Sequence, residues 1–293
     1  MCAFDEKTFR VVRLSGDRAL LGSVVWRHSQ SPSLLRPNEI HIWRSHLTVD
    51  VSSQSLLHSY LNEEENKRAA RFRSGCDRAR FIAARGTLRA LLACYLRKRP
   101  EDLQFVFGWE GKPALAPEPA GETLSFNLSH SQDIAIFAFG RNRNIGVDVE
   151  RIRPDVDCEN IAHHYFSAGE MRSLAGLMRQ KRLEGFFLCW TRKEAYIKAC
   201  GEGLQIPLDS FDVNLEPGNP AHFLGGVDPS WRISGFMADD DYPAALVYDG
   251  PPADLQFFIL DRNSGWPSQR LAAEDTETVG FVYEDAGRTS PHG

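Results

Sequence analysis

The sequence predicts an α+β protein made of two similar halves in one chain, related by a pseudo-twofold repeat, and two observations carry that prediction. A strand, then helices, then three strands occur in that order twice along the chain, although the two halves share no obvious residue-level identity. The composition is that of an ordinary globular protein, with 42% hydrophobic and 25% charged residues among 293, enough for a sizeable core. The formal net charge of -5 argues against nucleic acid as a main partner, because duplex binders carry a basic stripe. No run approaches the roughly 20 apolar residues of a membrane span, and the N-terminus has no signal-like apolar region, so the expected location is the cytoplasm. The six cysteines (Cys2, Cys76, Cys94, Cys158, Cys189, Cys200) show no C-x-x-C or zinc-like spacing and read as reduced, structural thiols.

Residues 1–38 read as an N-terminal extension of short apolar pieces around a turn-rich "SQSPSLLRPNE", and the fold is expected to begin near Glu39. The first half then spans 39–143. "EIHIWRSHLTV" alternates like a half-buried strand. Asn62 to Glu65 is a capping box for a short helix, and Ser74-Gly-Cys-Asp77 opens a longer one ending near Arg99, with Phe81, Ala84, Leu88, Leu91, Leu92 and Tyr95 as its buried stripe. After Pro100 come the strand-like "LQFVFG", "LSFNLSHS" and "DIAIFAFG". The second half, 144–261, repeats the order with "NIGVDVER", helical stretches near 159–179 and 182–200, and the strands "FDVNL", "WRISGF" and "YPAALVY". Residues 262–293 are polar and turn-rich and read as a C-terminal tail.

Each stretch that could carry chemistry also has an ordinary reading. In "IGVDVE" a strand points Asp148 and Glu150 to one face; a solvated face would tolerate them, and a hard divalent cation between them would make the pair favourable. In "FFLCWTRKEAYIKACGEGL" a helix lines up Phe186, Trp190 and Ile197 as the core stripe. Glu194 and Lys198 lie beside that stripe at the spacing of a surface ion pair worth about 0.2–0.5 kcal/mol. Gly201 and Gly203 suit a helix C-terminus. Ser129 and His130 are neighbours on a strand and so point to opposite faces; with no G-x-S-x-G elbow, a serine hydrolase is unsupported. Lys112 in a Gly-Lys-Pro turn either meets a phosphate or sits in solvent, and Arg78, Arg85 and Arg89 form either a solvated flank or a phosphate cradle.

In conjunction, "GKPAL" (111–115), "FNLSHS" (126–131), "IGVDVE" (145–150) and "WTRKEAYIKACGEGL" (190–204) resemble the 4'-phosphopantetheinyl transferase superfamily, in its Sfp-like monomeric branch, over roughly residues 40–260. The resemblance implies two similar α+β halves with the active site at their interface. It implies transfer of the phosphopantetheine arm of coenzyme A to a serine of an apo acyl carrier protein or peptidyl carrier domain, with release of adenosine 3',5'-bisphosphate. Fatty-acid, polyketide or nonribosomal-peptide carriers, or a lysine-biosynthesis reductase, are all clients of such an enzyme. By similarity Asp148, Glu150 and Glu194 hold Mg2+, with Mn2+ able to replace it, and Val149 leaves the set without a fourth acid. Lys198 contacts the pyrophosphate, and Glu194 is also the candidate acceptor of the serine proton. Lys112, Ser129 and His130 match residues that bind the nucleotide end of coenzyme A; Arg85 matches an arginine of the long helix, assisted by Arg78 and Arg89.

Two rivals belong to other classes. A metal-dependent nuclease or phosphoesterase shares D-x-E with a later Glu and Lys, but such sites use E-x-K on a neighbouring strand, whereas Glu194 and Lys198 are four apart on a helix. A non-catalytic module binding coenzyme A or a carrier protein would be expected to lose an acid or Lys198, and all are present.

Overall fold

The computed structural model describes residues 24–108, 111–116 and 123–261. The expected C-terminal tail, 262–293, and the first 23 residues of the expected N-terminal extension lie outside that set. The fold starts earlier than Glu39, however. β1 (Arg27–Ser29) follows a buried Trp26, and β2 (Glu39–His46) comes next. α1 (Val51–Ser59), α2 (Glu63–Ala70) and α3 (Gly75–Leu96) follow. Asn62 and Glu65 form the expected capping box, and the Ser74 hydroxyl accepts from Asp77 N to open α3. A short hairpin, β3 (Phe105–Phe107) and β4 (Pro113–Leu115), precedes the long antiparallel strands β5 (Leu124–Ser131) and β6 (Ile134–Arg141).

β7 (Ile145–Val149) opens the second half, followed by α4 (Cys158–Tyr165), α5 (Ala168–Gly176) and α6 (Arg179–Cys200). The helical stretch expected over 159–179 is therefore two helices. Ser167 and Glu170 make a second capping box, which starts a new helix immediately after Phe166. A small hairpin, β8 (Asp212–Val213) and β9 (Phe223–Gly225), leads to β10 (Arg232–Asp239), β11 (Tyr242–Tyr248) and β12 (Asp254–Leu260).

The pairing scheme repeats between the halves: β2-β6-β5 in the first and β7-β11-β10 in the second, each with its opening strand beside the second strand of its long hairpin. β12 departs from that scheme. It inserts parallel between β1 and β2, giving a five-stranded sheet β1-β12-β2-β6-β5, so the final strand of the second half completes the sheet of the first.

Four layers result. α1 to α3 cover one face of the five-stranded sheet through Trp43, Leu88, Leu91, Phe137 and Phe139. Its other face packs on the three-stranded sheet through Ile40, Ile42, Ile136, Val147, Phe236 and Leu246. The outer face of that smaller sheet is covered by α6 through Phe186, Ala195, Ala199 and Val247. Central strands are thus buried on both faces. The half-buried reading of β2 fails for that reason: polar His41 points inward and is satisfied by Tyr95 Oη at 2.8 Å.

Candidate active site

Along β7, Ile145, Val147 and Val149 enter the layer between the sheets, which turns Gly146 and Asp148 toward α6. A solvated acid face is excluded, because Asp148 is only 3% exposed. At Gly146 the helix touches the strand backbone: an added Cβ would lie 2.1 Å from Ala195 O and 2.2 Å from Ala199 N. This close approach brings Lys198 onto the strand, where Nζ meets Asp148 Oδ1 at 2.6 Å. The ion pair of Lys198 is therefore across elements rather than along the helix with Glu194.

β5, an edge of one sheet, and β7, an edge of the other, are joined by side chains. Asn127 Oδ1 accepts from Val147 N at 2.9 Å. Ser129 Oγ donates to Asp148 Oδ1 at 2.8 Å and accepts from Lys198 Nζ at 2.9 Å. Ser131 Oγ donates to Glu150 Oε2 at 2.7 Å and accepts from Arg151 N at 3.0 Å. The alternating N-x-S-x-S of "FNLSHS" is thus the set of side chains that one strand face presents to its neighbour.

Above this seam lies a cavity of about 1250 Å3 whose wall takes Arg68, Arg71, Phe72, Arg85, Lys112, Ser129 and His130 from the first half and Glu194, Ile197, Lys198 and Gly201 from the second. Asp148 and Glu150 are not part of that wall; they sit behind it and connect through Ser129, Ser131 and Lys198. Burial, then the neighbouring charge of Asp148, raises the Glu194 carboxyl above the usual carboxylate range. Glu150 is raised by burial too, against the opposing hydrogen bond of Ser131. His130 is held below the usual histidine value by desolvation and by the cations Lys198, Arg80 and Arg68.

The sequence-predicted residues divide by what they touch. Glu194, Lys198, Lys112, Ser129, His130 and Arg85 all reach the cavity wall. Ser129, expected at the nucleotide end of a ligand, has its hydroxyl engaged between Lys198 and Asp148. Lys112 Nζ donates to two main-chain carbonyls, Ile145 O and Ala199 O, and burial draws its pKa down to about 8. Arg85 pairs with Glu65 and lies 4.6 Å from the centre of the Phe105 ring. Arg89 is fully buried, on Glu65 Oε2 at 2.6 Å and Pro100 O at 2.7 Å, so it supports the helix and does not reach the cavity. Arg78 is exposed and donates to Phe72 O at 3.3 Å. Sequence reasoning passed over Arg68 and Arg71, three apart on α2 and its cap; an R-x-x-R at helical spacing just before Phe72 was the available signal. It also passed over Lys193 beside Glu194. That ammonium is fully buried, 2.8 Å from Glu170 Oε1 and 2.6 Å from both Leu208 O and Phe211 O.

Two family models match the chain: "4'-phosphopantetheinyl transferase superfamily" over residues 144–247 and "4'-phosphopantetheinyl transferase, N-terminal" over 50–141. The chain is 37% identical over 216 residues to the 4'-phosphopantetheinyl transferase HetI of Nostoc, covering 74% of this chain and 90% of that protein. The chain belongs to the 4'-phosphopantetheinyl transferase superfamily. Sfp of Bacillus subtilis, also a 4'-phosphopantetheinyl transferase, is 28% identical over 201 residues, 64% of this chain and 87% of Sfp, which agrees with an Sfp-like branch. A holo-(acyl-carrier-protein) synthase of Bacillus anthracis matches 37% of this chain and 96% of its own, with a TM-score of 0.32 and 18% identity, too loose a likeness to argue from.

Asp148 is an oxygen donor of the kind a hard cation takes. Asp148 Oδ2 is buried without a hydrogen-bond partner among the described residues. The charge of Asp148 adds to burial in raising the carboxyls of both Glu194 and Glu150. Among the described residues no group of three or more His, Cys, Asp or Glu side chains is arranged to hold a metal ion. An oxygen set of a few acids suits magnesium, which takes few protein ligands and fills its shell with water and phosphate. No helix among the described residues is long and apolar enough to cross a membrane.

Proposed function

We propose that this chain transfers the 4'-phosphopantetheine arm of coenzyme A to a serine of an apo acyl or peptidyl carrier protein, releasing adenosine 3',5'-bisphosphate. The observation that carries the reading is the Lys198–Asp148–Ser129 knot beneath Glu194, on the wall of a cavity that also bears Arg68, Arg71 and His130. The names of the relatives HetI and Sfp support it.

In the reaction the serine hydroxyl oxygen bonds to the phosphorus nearer pantetheine, and the bond from that phosphorus to the bridging oxygen breaks. The electron pair leaves with the 5'-phosphate of the adenosine bisphosphate. Lys198, held by Asp148 and Ser129, presents a fixed ammonium to that leaving group, and fixed charges stabilise developing charge without reorganising. Glu194 accepts the serine proton, a task favoured by the burial that raises its proton affinity. His130, Arg68 and Arg71 engage the nucleotide phosphates. Asp148, Glu150 and Glu194 would hold Mg2+, or Mn2+ in its place, which when bound neutralises charge on the pyrophosphate. The proposal extends to residues 39–143 and 144–261 as two halves of one cytoplasmic monomer, with β1 added ahead of the first half.

The test incubates the purified protein with coenzyme A, MgCl2 and a panel of apo carrier proteins and reads intact mass; the ranking of rates identifies the acceptor class. A phosphopantetheine adduct is expected, lost in Asp148→Ala and Glu194→Ala while their folds persist. Absence of any adduct, with a known transferase succeeding on the same carriers, refutes the reading.

A further inference from the structure

Three of the sequence motifs end on one nitrogen. Lys112 leaves the β3–β4 loop after Gly111, whose φ of 77° is a turn conformation glycine takes freely. Its Nζ donates to Ile145 O at 3.0 Å and to Ala199 O at 3.1 Å. Ile145 opens β7 in "IGVDVE", and Ala199 follows Lys198 in the last turn of α6. The last carbonyls of a helix lack partners within it, and a cation is the group that a helix C-terminus favours. The stem of Lys112 passes the helix cap at Gly201, where an added Cβ would lie 3.4 Å from Lys112 Cδ. Lys112 thus closes one end of the seam along which β7 and α6 touch at Gly146, and it reaches there from the other half of the chain.

We propose that Lys112 is a positioning residue: its ammonium pins the start of β7 to the last turn of α6 and so fixes Asp148 relative to Glu194 and Lys198, instead of spending its charge on a coenzyme A phosphate. The proposal rests on the transferase reading. An ammonium has three protons, and two of them are committed to main-chain carbonyls. Burial lowers the pKa of Lys112, so an open anion-seeking lysine is a poor description of it. Loss of the clamp leaves both carbonyls without their donor at the point where the two elements meet.

The test compares the full wild-type chain with Lys112→Met, which keeps the stem and loses the ammonium, and Lys112→Gln, which keeps a donor. Three quantities are read: kcat at saturating coenzyme A, the Kd of coenzyme A by calorimetry without metal, and amide hydrogen exchange over 145–149 and 195–201. The clamp predicts a kcat reduced about tenfold or more, since small misplacements of reacting groups are costly. It also predicts a coenzyme A Kd within about twofold of wild type, with faster exchange in both segments and none in α3. A Kd weakened about tenfold, whatever happens to kcat, overturns the proposal in favour of a phosphate ligand. Unchanged kcat and unchanged exchange overturn it as well. Should Lys112→Met fail to fold, Lys112→Gln decides by the same readouts. If the wild-type chain transfers nothing, the transferase reading falls, while exchange and coenzyme A binding still decide what Lys112 does.

Discussion

Gly146→Ala adds one methyl group where β7 and α6 are in backbone contact, and the structure sets its consequence. The new Cβ would stand 2.1 Å from Ala195 O, 2.2 Å from Ala199 N and 2.8 Å from Ala199 Cα. All three are main-chain atoms, so no side chain can swing aside. Restoring an ordinary contact near 3.4 Å requires the helix to retreat from the strand by about 1.3 Å. Lys198 Nζ now stands 2.6 Å from Asp148 Oδ1, and a retreat of that size takes the pair beyond hydrogen-bond reach. Overpacking of this kind costs about 1–3 kcal/mol of stability. The loss of activity should be larger in proportion, because a misplacement of about 1 Å can cost roughly 100-fold in rate. Steady-state transfer to an apo carrier, with thermal unfolding and coenzyme A calorimetry alongside, is the assay. The expected result is a kcat down by about two orders of magnitude in a folded protein that still binds coenzyme A through Arg68, Arg71 and His130. A Gly146→Ala variant with kcat within about twofold of wild type would show that the spacing of β7 and α6 does not set the rate.

Two further outcomes concern a buried ion pair and a titratable side chain on the cavity wall. Lys193→Met leaves Glu170 buried without its cation, which should cost about 3–5 kcal/mol in urea unfolding; transfer per folded molecule should persist, and a large kcat loss in a stable variant would contradict the structural role of Lys193. His130 is held below its usual pKa by desolvation and neighbouring cations; a phosphate beside it favours the charged form, so coenzyme A binding takes up a proton and tightens as pH falls toward the pKa of His130 in the free protein. Calorimetry in buffers of different ionisation enthalpy should detect that uptake in wild type and find it missing in His130→Gln; equal uptake in both would remove His130 from the phosphate.

The elements legible in the sequence are those with local causes. α3 and α6 announce themselves by helical spacing, the Ser74 cap and the Gly201 terminus, and β5 to β7 by runs of β-formers. The split after Phe166 was also written locally, in the Ser167–Glu170 box, but an apolar stretch running through it reads as one helix. β12 is different. Nothing in "DLQFFIL" says that it crosses back to pair with β2, because parallel partners are chosen by the layers above and below. The buried cations were illegible for the same reason: Arg192 and Lys193 look like the outer face of a helix, yet each meets carbonyl oxygens at least 15 residues away.

The site itself was legible only as a conjunction, and the structure gives a physical reason. Glu194 and Lys198 at four-residue spacing predict a surface pair. Helix geometry holds them on one face, but what that face meets is decided at Gly146, where the missing side chain lets β7 slide beneath it. "FNLSHS" then supplies what neither element can. Ser129 is bonded to the acid on β7 and to the lysine on α6 at once, so a serine that looked badly placed for its histidine neighbour is well placed for two residues of the other half. A motif on a strand edge can therefore be conformationally simple and still unreadable, since its partners belong to a surface that exists only after the halves have packed.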